Sequence, residues 1–269
     1  MNFGKIAFLG CGNMGRALAT AVSKKTKNII VSSHGSSTAD AFAERLSVSS
    51  GSNAKAVEEA DLIFIGVKPQ VISELASEIS PLLKAKSEAG SRFVLVSMAT
   101  GISMESILEI LGADYPIIRI MPNTPASIGA GMILYCSRGV SDEEEAAFFN
   151  IMENAGTFDK IPEQLIDAGS AVSGCGPAFV CKFIEAMADG GVACGLPRKK
   201  AQMYAAETLI GTAKLVLESG EHPAALKDAV CSPGGTAIQG IRALDKGGFS
   251  SAVIEAVVAA FEKNSRLSK

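Results

Sequence analysis

Three glycines at the end of a short apolar run constrain this chain more than any other feature. Gly10-Cys11-Gly12-Asn13-Met14-Gly15 fits G-x-G-x-x-G. Lys5–Leu9 before it has the composition of a strand, and Arg16-Ala17-Leu18-Ala19 after it that of a helix. Glycines cluster in many loops, so the pattern alone is weak; the strand–turn–helix context makes it specific. In that context Gly10 makes the tight turn, Gly12 lets the backbone approach a pyrophosphate, and Gly15 lets the helix pack closely on the strand. The helix N-terminus then offers N–H donors and partial positive charge to the phosphates.

The first half of the chain repeats that rhythm. Strands are expected at Lys5–Leu9, Asn28–Ser32, Asp61–Val67, Phe93–Ser97, Ile117–Met121, Met132–Cys136 and, last, Thr157–Ile161. Several are continuous Val/Ile/Leu/Phe runs, as strands covered on both faces require. Helical stretches lie between them at Asn13–Lys25, Ala39–Leu46, Val71–Leu83 and Met104–Leu111. Ser141 with Glu144 makes a capping box for a further helix ending near Gly156. Alternating β and α units imply an α/β fold with a parallel, doubly wound sheet.

After Pro162 the strand signal stops. Helices are expected at Glu163–Val172, Pro177–Cys194, Arg198–Glu218, Pro223–Val230, Thr236–Asp245 and Ser250–Arg266. Two domains follow: residues 1–162 bind the dinucleotide, and residues 163–269 are all helical. The helices at Pro177–Cys194 and Arg198–Glu218 are apolar around much of their circumference, so each needs more than one partner. That favours a two-fold dimer built through the helical domain over a larger monomeric core.

Composition narrows the function. A net charge of −3 gives no electrostatic case for nucleic acid or anionic membrane. No apolar run approaches the roughly 20 residues that span a bilayer, and the N-terminus has no signal-peptide pattern, so a cytoplasmic location is expected. The six cysteines (Cys11, Cys136, Cys175, Cys181, Cys194 and Cys231) include no CxxC pair, and the histidines are His34 and His222. No metal site and no disulfide framework is expected.

The second strand bears on which dinucleotide binds. An NAD site usually places Asp or Glu about 20 residues past the glycines, on the ribose 2′-OH. Here the strand ends in Ser32-Ser33-His34-Gly35, without a carboxylate or an arginine. Hydroxyls can donate to a 2′-phosphate, which favours NADPH, although a neutral site can also accept NADH. In doubly wound sheets ligands sit at the carboxyl ends of the strands. The expected cofactor set is therefore Leu9, Gly10, Cys11, Gly12, Asn13, Met14, Gly15, Ser32, Ser33, Asn53, Val67, Lys68, Pro69, Met98, Ala99 and Asn123. Asn123 and Thr124 sit between Pro122 and Pro125, a stiff polar turn suited to a substrate or nicotinamide contact. Ser232-Pro233-Gly234-Gly235-Thr236 opens a predicted helix, and its N–H groups and hydroxyls suit a carboxylate.

Four segments, in order, carry a resemblance. They are Met121-Pro122-Asn123-Thr124-Pro125, Ser173-Gly174-Cys175-Gly176-Pro177-Ala178, Asp189-Gly190-Gly191-Val192 with Gly195-Leu196-Pro197, and Leu226 to Thr236 ending S-P-G-G-T. Together they resemble the pyrroline-5-carboxylate reductases over nearly the whole chain. The resemblance implies an N-terminal Rossmann domain and a C-terminal helical dimerisation domain, with dimers that can assemble further, often into decamers. It implies reduction of L-1-pyrroline-5-carboxylate, a small-molecule substrate, to L-proline with NAD(P)H. Val230, Ser232, Gly234, Gly235 and Thr236 are then the expected substrate-binding residues, with Thr236 and Asn123 as the catalytic candidates.

Two positions depart from the family pattern. Ala237 stands where relatives commonly carry a threonine given a role at the substrate nitrogen, and Cys175 replaces a common serine. Ala237 cannot donate, so Thr236, another hydroxyl or water must substitute, or the role is minor. Rival readings are an imine reductase for another ring size and a non-catalytic NADP-binding protein. A β-hydroxyacid dehydrogenase would need an asparagine four residues after its catalytic lysine; none follows Lys182 at that spacing.

Overall fold

The computed structural model describes residues 3–33 and 35–267. His34 lies outside the described residues. Two compact units emerge: Met1–Cys175 with Ala260–Lys269, and Gly176–Ala259.

The first unit is an eight-stranded sheet flanked by helices. In chain order its elements are β1 (Ile6–Leu9), α1 (Asn13–Ser23), β2 (Ile29–Ser32), α2 (Ser36–Leu46), β3 (Ser49–Ser50), α3 (Asn53–Glu59) and β4 (Leu62–Ile65). There follow α4 (Ile72–Glu88), β5 (Val94–Ser97), α5 (Met104–Leu111), β6 (Ile117–Met121), β7 (Gly131–Arg138), α6 (Asp142–Met152), β8 (Gly156–Lys160) and α7 (Ile166–Ser173). The strand order is β3-β2-β1-β4-β5-β6-β7-β8.

β1 to β6 are parallel, with Ile6 opposite both Ile29 and Leu62. β7 runs antiparallel to β6, and β8 parallel to β7. The sequence suggests a parallel sheet throughout, so this edge is a difference. Its cause is length: the link from β6 to β7 holds only a short 3₁₀ turn, Thr124–Ile128, and a parallel crossover needs a dozen residues or more.

Strand residues alternate between two cores. Ile6 and Phe8 face one, with Phe64, Val96 and Phe148. Ala7 and Leu9 face the other, with Ile63, Ile65 and Leu95. Both faces are dry, which is why the strands read as continuous apolar runs. Phe8 stacks on Phe64 with centroids 4.3 Å apart, linking β1 to β4 at the centre of the sheet.

The capping box holds: Ser141 Oγ accepts from Glu144 N at 3.3 Å, and Glu144 Oε2 from Ser141 N at 2.8 Å. Glu144 is buried, and Arg92 donates to both of its oxygens at 2.7 and 2.8 Å. These bonds hold its carboxyl below the usual carboxylate range.

The second unit is helical: α8 (Gly176–Ala193), α9 (Arg198–Ser219), α10 (Pro223–Val230), α11 (Thr236–Lys246) and the start of α12 (Phe249–Leu267). Its buried residues are the small Ala188, Ala201 and Ala205, whereas Met203, Ile210, Leu217 and Ile254 are exposed. A cleft of about 640 Å³ is lined by Phe179, Phe183, Met187, Leu209, Phe249 and Val253. This unit does not bury its large apolar side chains within one chain.

Glu163–Ala193 is long and apolar enough, by length and composition, to cross a membrane. Charged residues such as Asp167 and Lys182 leave no long uninterrupted apolar run within it.

Glu144 is ionised in the fold with a lowered pKa, so its contribution is present above the unfolded carboxyl value and is lost as pH falls through the folded one. E144Q should cost about 2 kcal/mol near neutral pH. Its urea midpoint, at fixed protein concentration, should converge with that of the parent as pH falls through the lowered carboxyl pKa.

Candidate functional site

The glycine turn between β1 and α1 gives each glycine a separate physical reason. Gly10 has φ +106°, and a Cβ there would lie 2.8 Å from the Gly66 backbone. A Cβ on Gly15 would collide with the Gly10 carbonyl oxygen. A Cβ on Gly12 would meet nothing within 4 Å. Gly12 is therefore kept small by no protein neighbour, and open space lies where a pyrophosphate would rest. Gly12 is also the N-cap of α1 and gives no side-chain cap, so the first N–H groups of the helix stay available. These residues fit a dinucleotide.

The carboxyl ends of the parallel strands border this turn. Leu9 and Cys11 are buried, and the Cys11 thiol donates to Ser32 O at 3.3 Å. Burial pushes that thiol above its ordinary value, against the pull of the nearby Arg16 charge. Ser32 is buried and donates to Asn53 Oδ1 at 2.6 Å, while Asn53 Nδ2 donates to Glu78 Oε2 at 2.7 Å. Ser32 thus braces the end of β2 from inside. Ser33, half-buried, donates to Gly35 O at 2.7 Å and is the serine that reaches solvent. Asn13 is exposed and Met14 half-buried beside Gly15. Val67 is half-buried; Lys68 and Pro69 are exposed after β4, and Lys68 has no ion pair among the described residues. After β5, Met98 is half-buried and Ala99 buried, with Ala99 N bonded to Ser97 Oγ at 3.3 Å.

Asn123 follows β6 and is 8% exposed. Its Oδ1 accepts from Met132 N at 3.0 Å, and its Nδ2 donates to Ser173 O at 2.9 Å. The amide therefore ties the start of β7 to the end of α7 and keeps one N–H uncommitted. That geometry suits a positioning residue better than a group that exchanges a proton.

In the helical unit the turn between α10 and α11 is Cys231 to Gly235. Gly234 has φ +70°, and Gly235 N donates to Ser232 O at 3.0 Å. A Cβ on Gly235 would collide with Ser232 Oγ. α11 begins at Thr236 without a side-chain cap. The exposed Thr236 hydroxyl has no hydrogen-bond partner among the described residues. Val230 is exposed at the end of α10. The turn offers free N–H groups and a free hydroxyl, the donor set that a carboxylate or ring nitrogen needs.

Cys11 and Cys136 are buried free thiols, and burial pushes Cys136 up to about 11. Both are protonated at neutral pH and are poor nucleophiles. Among the described residues no group of His, Cys, Asp or Glu could hold a metal ion.

Sequence reasoning missed α3, which carries Asn53; it has seven residues behind a serine-rich stretch and starts at a Ser52 cap bonded to Lys55 N. It also missed two arginines near β2. Arg16 lies over the Phe42 ring at 5.5 Å and Arg45 at 5.1 Å. They are distant in sequence from the serines, and only the fold of α2 brings them to the same ring.

The chain is similar to known proteins over nearly its whole length. The family model described as pyrroline-5-carboxylate reductase dimerisation matches residues 163–267. One described as NADP oxidoreductase, coenzyme F420-dependent, matches residues 5–98. The pyrroline-5-carboxylate reductase of Escherichia coli (strain K12) is 41% identical, with 98% of each chain covered. Pyrroline-5-carboxylate reductase 3 of Danio rerio is 40% identical, over 96% of this chain and 90% of the relative. The pyrroline carboxylate reductase of Plasmodium falciparum, solved with NADP bound, superposes with a TM-score of 0.86 at 30% identity and 98% coverage of both. That of Coxiella burnetii gives 0.88 at 28% identity and 100% coverage of both.

The glycines separate binding from folding. Gly12 has φ −69°, which alanine adopts freely, and open space beyond it. G12A should keep the parent melting temperature and weaken dinucleotide binding by about tenfold or more, because the methyl occupies the pyrophosphate's place. G15A should lower the melting temperature itself, since its methyl overlaps a backbone oxygen. Calorimetry and cofactor titration on both variants check the contrast.

Proposed function

The chain belongs to the pyrroline-5-carboxylate reductase family, and from that premise we propose that it reduces L-1-pyrroline-5-carboxylate to L-proline, the last step of proline biosynthesis. It is an NAD(P)H-dependent oxidoreductase. The observation that carries the reading is full-length similarity to named reductases together with a glycine turn shaped for a dinucleotide.

Bound NAD(P)H supplies the hydride. The protein's part is to hold two ligands. Gly10, Gly12 and the N–H groups of Asn13, Met14 and Gly15 take the pyrophosphate, with Leu9 and Cys11 forming the floor. Ser33 follows the Ser32–Asn53 bond at the end of β2 and faces the ribose with no carboxylate beside it, which favours NADPH over NADH; its hydroxyl proton goes to Gly35 O. Val67, Lys68, Pro69, Met98 and Ala99 border the rest of the cofactor. Asn123 fixes the turn after β6.

Ser232, Gly234, Gly235 and Thr236 receive the substrate carboxylate at the N-terminus of α11, with Val230 beside them. A protonated imine is already an electrophile, so acid–base demand is small and orientation supplies much of the rate enhancement. The Thr236 hydroxyl is free to hold the ring nitrogen's proton, a task Ala237 cannot share.

The exposed apolar faces of α8, α9 and α12, within a segment that matches a dimerisation family, support a homo-oligomer. We read it as a dimer through the segment from residue 163 onward, with a decamer as the larger assembly. We read it as cytoplasmic and without nucleic-acid or membrane partners; the net charge of −3 supports the absence of a polyanionic partner.

The direct test is NADPH oxidation followed at 340 nm with L-1-pyrroline-5-carboxylate, with L-proline identified as product. Turnover is expected with NADPH and more slowly with NADH. S232A/T236V should raise the substrate KM and lower kcat by about tenfold or more, the scale of losing hydrogen bonds to a charged ligand, and leave NADPH affinity intact. Unchanged kinetics in that variant would remove the carboxylate cradle, and failure of the parent to turn over would remove the reaction.

A further inference from the structure

Phe42 on α2 is buried, and two guanidinium groups lie over its ring: Arg16 from α1 at 5.5 Å and Arg45 from α2 at 5.1 Å. Two cations on one ring repel, and a cation–π contact at such a partly exposed site is weak. A nearby carboxylate would be the ordinary remedy. Neither arginine has an ion pair among the described residues. The cluster is a concentration of positive charge without its counter-ion.

Its place is specific. Arg16 Nε donates to Cys11 O at 2.8 Å, inside the glycine turn. Cys11 Sγ and Gly10 N both donate to Ser32 O, at 3.3 and 3.0 Å. Arg16 is thus anchored to Cys11, which is itself bonded to Ser32, the last residue of β2, with Ser33 next in the chain. With Nε committed and one face on Phe42, its Nη1 and Nη2 hydrogens have no partner among the described residues. A guanidinium held in this way presents a fixed fork, the geometry that matches a phosphate.

We propose that Arg16, supported by Arg45, is the cation that recognises the ribose 2′-phosphate of NADPH, which makes it a specificity-determining residue. The proposal rests on the reading of the glycine turn as the NAD(P)H site. The serines that end β2 supply hydroxyls but no charge; Arg16 supplies the charge that a phosphomonoester dianion requires. Arg45, exposed and without a bond to the turn, adds to the local potential and contributes less.

The test is calorimetric titration of the full-length protein with 2′,5′-ADP and with 5′-AMP, which differ by the 2′-phosphate alone. The parent should bind 2′,5′-ADP more tightly. R16M should weaken 2′,5′-ADP by about 10- to 100-fold, the span of a charge-assisted hydrogen-bond pair, while 5′-AMP stays within about twofold. R16K should recover part of the loss, and R45M should show a smaller loss in the same direction. Equal weakening of both nucleotides, or unchanged 2′,5′-ADP binding in R16M, would overturn the assignment and leave the NAD(P)H site standing. A parent protein that binds neither nucleotide nor NADPH would overturn the site itself, and the proposal with it.

Discussion

Gly10, Gly15 and Gly66 let three backbone segments touch where side chains would hold them apart. The Gly15 position of α1 rests against the Gly10 carbonyl, and Gly10 lies against Gly66 at the end of β4. This contact sets the height of α1 on the sheet, and with it the place where the helix's uncapped N–H groups point. It also joins β1 to β4, the central pair, which the stacked Phe8 and Phe64 rings hold from one core. The rest of the first unit is built outward from that seam.

Charge is distributed unevenly around it. Buried Glu144 is answered by Arg92, and buried Arg119 by Glu163 at 3.0 Å. Those pairs belong to the scaffold and are compensated. The glycine turn is different: the helix N-terminus, Lys68, Arg16 and Arg45 all present positive potential, and none of these side chains has an ion pair among the described residues. Cations without an internal partner can meet an anion without first breaking a pair. The helical unit shows the corresponding pattern for apolar surface. Many of its large side chains are exposed and its few buried ones are alanines, so its own core is too small for its helices, a pattern that supports homo-oligomerisation in a segment matching a dimerisation family.

How much of this the sequence carries depends on the range of the interaction. Strands such as Ile117–Met121 and helices such as Met104–Leu111 and Pro223–Val230 match their expected bounds because local pattern decides them. Ser141 with Glu144 was legible as a capping box for the same reason. The reversal at β7 was not read, because it depends on what the residues between Met121 and Gly131 cannot span. α4 runs on to Glu88, beyond its expected end at Leu83, because the added residues Lys84 to Glu88 are mostly exposed and polar and carry no apolar periodicity to mark them. At the site, the glycine roles could be argued from spacing alone. The commitment of Asn123 to Met132 and Ser173 could not, and neither could the convergence of Arg16 and Arg45 on Phe42, because each joins residues that only the folded chain brings together.

The measurement that tests the central claim most directly is the path of the hydride. With NADPH deuterated at C4 on the transferred face and L-1-pyrroline-5-carboxylate as acceptor, the proline formed can be read by NMR and mass spectrometry. Direct transfer predicts proline with a single deuterium at its C5 and NADP⁺ without it, from an imine that gains one hydride and one solvent proton. Proline free of deuterium, or cofactor that remains reduced in the presence of substrate, would contradict it.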